Sequence, residues 1–294
     1  MKVIERRNIW FAISLIVFAA GVISFIVQGF NFDIEFAGGT MLQIDMHTVL
    51  EDTEELEAVI QEATGDSNPQ IQAVSGSGSE TQFSIKVTEQ SPDQIDALYQ
   101  AIAQAYNLDT ETNADLIQTS SISPTISSEM QRSAILSTAI AGVLILLYIT
   151  FRFRDICFGL GALIPLIHDV LIVVAVYTIF QIPLNNTFIV AILTIVGYSI
   201  NNTIVVFDRI RENRKFYKKS ELASVADVSI KQTLGRSLAT SFTTIITVFL
   251  LFILGVQSLQ WFALPLLVGI LAGTYSSLFI ASPIWYLLER KIHR

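Results

Sequence analysis

The chain has 294 residues, 52% hydrophobic and only 15% charged, with a mean hydropathy of +0.55 and a formal net charge of -8. Water-soluble domains carry about 25% charged residues, so this composition is biased toward lipid. The single cysteine, Cys157, excludes an internal disulfide and a cysteine metal site, and the lack of a broad basic face excludes nucleic acid.

A membrane-crossing helix needs about 20 mostly apolar residues. Six stretches meet that length, at 10–30, 133–151, 156–180, 186–207, 237–256 and 262–288. Lys2, Arg6 and Arg7 precede the first. Its apolar run exceeds the ~7–15 residues of a signal-peptide core and lacks a small-x-small cleavage site, so it is predicted to be retained.

The connection 31–128 is long enough to fold by itself, and Lys86 is its one basic residue among many acids. Leu42, Ile44 and Met46 alternate with Gln43 and Asp45, as a half-buried strand requires. Leu56, Val59, Ile60 and Ala63 recur at helical spacing, with Asp52 or Thr53 as a starting cap and Gly65 as a stop. "SGSGSE" at 75–80 reads as a hairpin loop, after which Phe83, Ile85 and Val87 alternate again. Ser91-Pro92-Asp93 opens a second helix with the stripe Ile95, Leu98, Ile102, and a weaker strand follows at 115–122. This order predicts a ferredoxin-like split βαβ unit. Gly38-Gly39 suits a tight backbone bend or close packing, and His47 a solvated loop. No metal cluster or phosphate loop is legible.

Basic residues orient the helices. Lys2, Arg6, Arg7, Arg152, Arg154, the run from Arg209 to Arg236, Arg290, Lys291 and Arg294 share one side of a six-span chain, leaving Lys86 and Arg132 on the other. The predicted fold class is therefore an α-helical polytopic membrane protein with six transmembrane helices plus one extracytoplasmic α+β (ferredoxin-like) domain. Residues 1–30 supply the cytoplasmic N-terminus and first helix, and 31–128 the domain. Residues 129–288 supply helices two to six with a cytoplasmic loop at 208–236, and 289–294 the cytoplasmic C-terminus.

Polar groups inside a span are costly and mark function or helix contacts. His168 and Asp169 fall near the middle of the third span beside Pro165, which frees a carbonyl and can kink the helix. Asp169 suits a mechanistic role or a helix-fixing hydrogen bond, and His168 equally a packed core residue. Asn201 and Asn202 sit in the fourth span, where amides bridge helices at roughly 0.6–2 kcal/mol. Arg236 enters the fifth span and either snorkels to the interface or faces a polar interior. "GILAG", Gly269 to Gly273, is a helix-contact spacing.

Four motifs in chain order carry a resemblance. They are "FDIEFAGGT" (32–40, containing Gly38 and Gly39), "ALIPLIHDV" (162–170), "LTIVGYSINNTIVVFDRIREN" (193–213, containing Asp208 and Arg209) and "SIKQTLGRSLATSFTT" (229–244). Together they resemble the SecF family of the bacterial Sec export machinery over essentially the whole chain. Glu35 stands where that family usually has aspartate, and Asn202 where it commonly has aspartate. The resemblance implies SecD and the SecYEG channel as partners, with YidC and YajC beside them, secretory preproteins as cargo and membrane lipid as surroundings. It implies the bacterial plasma (inner) membrane as the location. It also implies that a proton or sodium gradient assists late translocation and release, with no cofactor, no metal and no enzymatic step. The family's aspartate at the Asn202 position and its arginine, here Arg236, are implied to lie on the proton path.

An amide does not titrate, so Asn202 cannot carry a proton. The expectation is that SecD supplies the titrating carboxylate. Asn202 and Arg236 would then line the path, and Asp169 would be a second site. Two alternatives stay open. One is a gradient-independent scaffold of the export complex. The other is a small-molecule exporter of the same resistance-nodulation-division superfamily, a class with two large inserts where this chain has one.

Overall fold

The computed structural model describes residues 2–48, 50, 53–66, 69–74 and 81–292. The expected cap at Asp52 and the expected hairpin loop at 75–80 lie outside the described residues.

Helix α1 (Arg7–Gln28) ends at Gly29, whose φ is 70°. The chain then pairs with the membrane bundle: Phe32 forms a parallel bridge to Leu184, and the Leu184 N–H donates to the Asn31 carbonyl at 2.8 Å. A short helix α2 (Ile34–Ala37) follows, capped by the Asp33 carboxylate. Gly38 and Gly39 then adopt φ of 78° and 131° and redirect the chain into the first strand. At Gly39 a Cβ would strike the Val87 carbonyl oxygen, so no side chain fits there.

Strand β1 (Gly39–Asp45), helix α3 (Glu54–Thr64), strands β2 (Gln70–Ala73) and β3 (Gln82–Val87), helix α4 (Pro92–Tyr106) and strand β4 (Leu116–Ile122) form one α+β layer. The sheet order is β2-β3-β1-β4 with every neighbour antiparallel, so each strand–helix–strand connection skips one strand. The register sets Leu42 opposite Ile85 and Ile44 opposite Phe83. That face buries against Leu56, Ile60, Leu98, Tyr99 and Ile102, at about 1.5–3 kcal/mol per large side chain. Ser91 and Gln94 close a capping box on α4, and Gly65 ends α3 in the left-handed region. Lys86 is buried and pairs with Asp33 at 3.4 Å, tying the sheet to α2.

Helix α5 (Pro124–Phe153) leaves directly from β4, and helices α6 (Ile156–Ile179), α7 (Asn186–Asn213), α8 (Leu222–Leu254), α9 (Gln257–Phe279) and α10 (Ala281–Ile292) complete the chain. Among the described residues, six helical segments are long and apolar enough to cross a membrane. With the homologues reported below, this makes the chain a multi-pass membrane protein, mostly helical, with one small four-stranded sheet. Helix α6 and the α9–α10 span are the most enclosed, 61% and 67% buried over their most apolar stretches, against 11% for α5 and α8.

Two segments differ from expectation. The stretch 208–236, expected as a loop, is mostly helical, because α7 continues to Asn213 and α8 begins at Leu222. Its apolar residues Val225, Ala226 and Ile230 are buried with Val3, Ile4, Phe207 and Trp285 in a core at one end of the bundle. The Asp227 carboxylate there accepts from the Val3 and Ile4 N–H groups at 2.8 and 3.1 Å. The last expected span is a pair of helices broken at Ile280. Pro283 explains the break, since its ring lacks an N–H and crowds the carbonyl four residues back.

Candidate functional site

Asp169 has no solvent exposure and sits where α6 meets α7 and α9. One carboxylate oxygen, Oδ1, lies 2.9 Å from His168 Nδ1. The other, Oδ2, accepts from Ser199 Oγ at 2.5 Å and from Ser276 Oγ at 2.8 Å. The Nε2 of His168 lies 2.9 Å from Ser14 Oγ on α1, and the imidazole packs edge-on against Phe18 at 5.2 Å. Four helices thus converge on one acid. Gly273 makes this possible: α9 comes so close to α7 there that a Cβ would lie 3.0 Å from Ser199 Cβ. Gly269, at the other end of "GILAG", rests on Ile195 of α7.

Asn201 and Asn202 part company. Asn201 opens onto a cleft of about 660 Å3 lined by Arg152, Asp208, Arg209, Arg211, Glu212, Gln232 and Arg236. Asp208 pairs with Arg152 at 3.5 Å and Arg211 at 3.2 Å, and Arg209 with Glu212 at 2.9 Å. The Arg236 guanidinium makes no hydrogen bond or ion pair among the described residues. Asn202 does not line this cleft. It is 3% exposed, and its Nδ2 has no hydrogen-bond partner among the described residues. One turn away, Tyr198 donates to Ser241 Oγ at 3.0 Å, which lies 2.6 Å from Thr274 Oγ1. The polar thread across α7, α8 and α9 therefore stops short of the Asn202 amide.

Arg236 also begins a stripe on the open side of α8. Thr240, Thr243 and Thr247 are exposed and Thr244 half-buried. Each hydroxyl donates to a carbonyl of its own helix, at 2.9 to 3.2 Å, and keeps its acceptor capacity free.

The remaining candidates lie elsewhere. Gly38 and Gly39 form the α2–β1 bend. His47 is on the surface, hydrogen-bonded to Asp115 at 2.8 Å, and that carboxylate raises its pKa. Among the described residues one group could offer metal ligands: Asp155, Cys157 and Glu289, within 4.8 Å of one another. Arg214 pairs with both of those carboxylates, offsetting one of their two charges. Ser14, Ser199 and Ser276 were not picked out from the sequence, where a serine in an apolar run carries no signal of what it faces.

The family described as protein export membrane protein SecD/SecF, C-terminal, matches residues 102–291. The protein translocase subunit SecF of Sebaldella termitidis is 35% identical over 99% of this chain and 92% of its own length. That of Petrotoga mobilis is 37% identical over 96% and 93%. The crystal structure of SecDF, a translocon-associated membrane protein from Thermus thermophilus, matches with a TM-score of 0.85 at 32% identity. It covers all of this chain, which spans 39% of that one.

Proposed function

Because the chain belongs to the SecF family of protein-translocase subunits, we propose that it serves protein export as one half of a gradient-driven engine whose other half is SecD. Relatives in which the two are fused, named SecDF, support that pairing. In this reading the four-stranded layer is a ferredoxin-like domain on the outer side of a bacterial plasma membrane, with both termini cytoplasmic. The complex works beside SecYEG, with YidC and YajC as further neighbours, on secretory preproteins. No enzymatic step is assigned to the chain.

The observation that carries the reading is unpaired Arg236 at the head of the threonine stripe on α8. A guanidinium and a row of hydroxyls on the open face of a membrane helix call for a polar protein partner, not lipid. A carboxylate on SecD would meet Arg236 when ionised and release it when protonated. A gradient supplies about 2.3 kcal/mol per charge per 100 mV, enough to bias such a two-state contact. Asp169 is the acid this chain itself could contribute.

A second reading has its own support. Asn202 occupies the family's aspartate position, is buried, and cannot titrate. That favours a scaffold that holds the export complex without using the gradient. Release of a secretory chain from vesicles containing SecD and this chain, measured with and without an ion gradient, separates the two. The engine predicts gradient-dependent release that Arg236→Ala abolishes, and the scaffold predicts equal release in all arms. Asn202→Asp alongside Asn202→Ala then asks whether a carboxylate at that position adds ion flux.

A further inference from the structure

Ser14, His168 and Asp169 stand in the order hydroxyl, imidazole, carboxylate, with Oγ–Nε2 and Nδ1–Oδ1 distances both 2.9 Å. That is the arrangement of a hydrolytic triad. Yet Ser14 lies inside α1, where the helix consumes the backbone N–H groups, so no donor pair is free to hold an oxyanion. The same constellation has a different use in lipid. We infer that Ser14, His168 and Asp169 form a one-proton relay in which His168 Nε2 binds the proton and the Ser14 hydroxyl switches partner to accommodate it. The inference deepens the gradient reading above and rests on it for its role in export.

Charge balance carries the argument. With Nδ1–H donated to Asp169 and Nε2 bare, the pair holds one uncompensated negative charge among apolar helices. Three donors soften that charge: His168 Nδ1–H, Ser199 and Ser276. A proton added to the Nε2 lone pair gives an imidazolium–carboxylate pair of zero net charge. A neutral pair is far cheaper to bury than a lone ion. No other charged group is on hand to serve instead. Among the described residues, no Asp, Glu, Lys or Arg of α1, α7, α9 or α10 makes a hydrogen bond or ion pair to either residue. The one titratable neighbour facing the imidazole, Tyr275, has its ring 6.1 Å away and donates its hydroxyl to the Trp10 carbonyl at 2.6 Å.

Ser14 is a positioning residue with two settings. Before protonation its O–H donates to bare Nε2. Afterwards Nε2–H donates to Ser14 Oγ, and the Ser14 hydroxyl turns to the Trp10 carbonyl, 3.3 Å away, sharing that acceptor with the Tyr275 hydroxyl and the helix's own N–H in a three-centre bond. Both settings use the same heavy-atom positions, so the switch needs only hydroxyl rotation. Ser14 and His168 also line a shallow, largely apolar groove with Phe11, Phe18, Ile164 and Ile280, the side on which Nε2 lies nearest the surface of the helices. In this proposal a proton delivered as hydronium on that side adds to Nε2 and returns to water from the same nitrogen.

The test uses the full chain in phosphatidylethanolamine–phosphatidylglycerol nanodiscs. The changes His47→Gln and His293→Gln leave His168 as the one histidine of three. Nitrogen-15 resonances of the imidazole are followed between about pH 5 and 8, in sodium and in choline chloride. The relay predicts that Nδ1 stays protonated throughout. Nε2 should gain a proton in one step that is identical in both salts. Asp169→Asn should lose the step. At a pH above that step Ser14→Ala should cut proton occupancy by about tenfold, and Ser14→Thr should restore it. A step that survives Asp169→Asn, a Ser14→Ala variant identical to the parent, or a change driven by sodium in place of pH would each overturn the relay. The measurement needs no export, so a relay that is present while release ignores the gradient sinks the engine and keeps the proton site.

Discussion

Replacing Gly273 by alanine tests whether close α7–α9 packing builds the acid site. The new Cβ would lie 3.0 Å from Ser199 Cβ, 3.3 Å from its Cα and 3.3 Å from its Oγ. Ordinary van der Waals contact begins near 3.4 Å, so the helices must part by a few tenths of an ångström. Ser199 has nowhere to go, being fully buried and bound to Asp169 at 2.5 Å. Overpacking of this kind costs about 1–3 kcal/mol. Gly235 on α8 is the control, because a Cβ there meets nothing within 4 Å. In an open helix position alanine stabilises by roughly 0.5–1 kcal/mol. That gain is common to both helical positions, so the two variants should differ by the overpacking cost, about 1–3 kcal/mol. Helicity followed through a denaturing-detergent titration of the purified chain measures the gap. Equal midpoints, or a more stable Gly273→Ala, would refute the packing argument. Gly269→Ala should cost at least as much as Gly273→Ala, since its Cβ would lie 2.2 and 2.6 Å from Cδ1 and Cγ1 of Ile195, a buried β-branched side chain with a stiff rotamer.

The α+β layer offers further checks. The hydrogen bond to the Asp115 carboxylate raises the folded pKa of His47 above the ordinary 6.5. Its stabilising effect is fully present below that ordinary value and is lost as pH rises through the raised one. Amide exchange at Asp45 and Leu116, corrected for intrinsic rates, should thus quicken at alkaline pH in the parent, and His47→Gln should remove that pH dependence. Lys86→Met strips the buried partner from Asp33 and should destabilise the layer by about 2 kcal/mol, with Asp33→Asn in the same chain recovering part of it. A thermal melt of the four variants of that cycle settles the coupling. Gly39→Ala, which drives a Cβ into the Val87 carbonyl, should loosen the β1–β3 pairing and raise exchange at Leu42 and Ile85.

Much of the fold was legible because its signals are local. Alternation at Leu42, Ile44, Phe83 and Ile85 is the sheet's inner face, and Ser91-Pro92 with Gln94 is a cap written in three residues. Apolar length alone reported the membrane helices. Phase was not legible. Neighbouring residues on a helix point about 100° apart, so Asn201 and Asn202 enter different surroundings here, and only the packing of α8 shows which of them joins Arg236. The acid site failed to announce its serines for a related reason. Ser14, Ser199 and Ser276 come from three helices far apart in sequence, and each looks like an ordinary small residue in lipid. The helical run at 222–236 was hidden by its charges, although Val225, Ala226 and Ile230 supply a buried face.

Burial separates two helices that composition treats alike. Both α5 and α8 have only 11% of their most apolar window buried, so both present open faces. On α5 the exposed residues between 139 and 151 are Ala139, Ile140, Val143, Leu144, Leu147, Tyr148 and Phe151, a surface lipid tolerates without penalty. On α8 one face is equally greasy, with Leu238, Phe242, Ile246 and Phe249. The other carries Arg236, Thr240, Thr243 and Thr247. Lipid cannot satisfy a guanidinium, and hydroxyls bonded back to their own helix gain most from a donor on another chain. Within the span itself, α8 therefore offers a protein neighbour exposed threonine hydroxyls that α5 lacks between 139 and 151. In the proposed engine the neighbour's charge decides the outcome: an acid that titrates opposite Arg236 transmits a gradient, and a fixed dipole there only holds the two halves together.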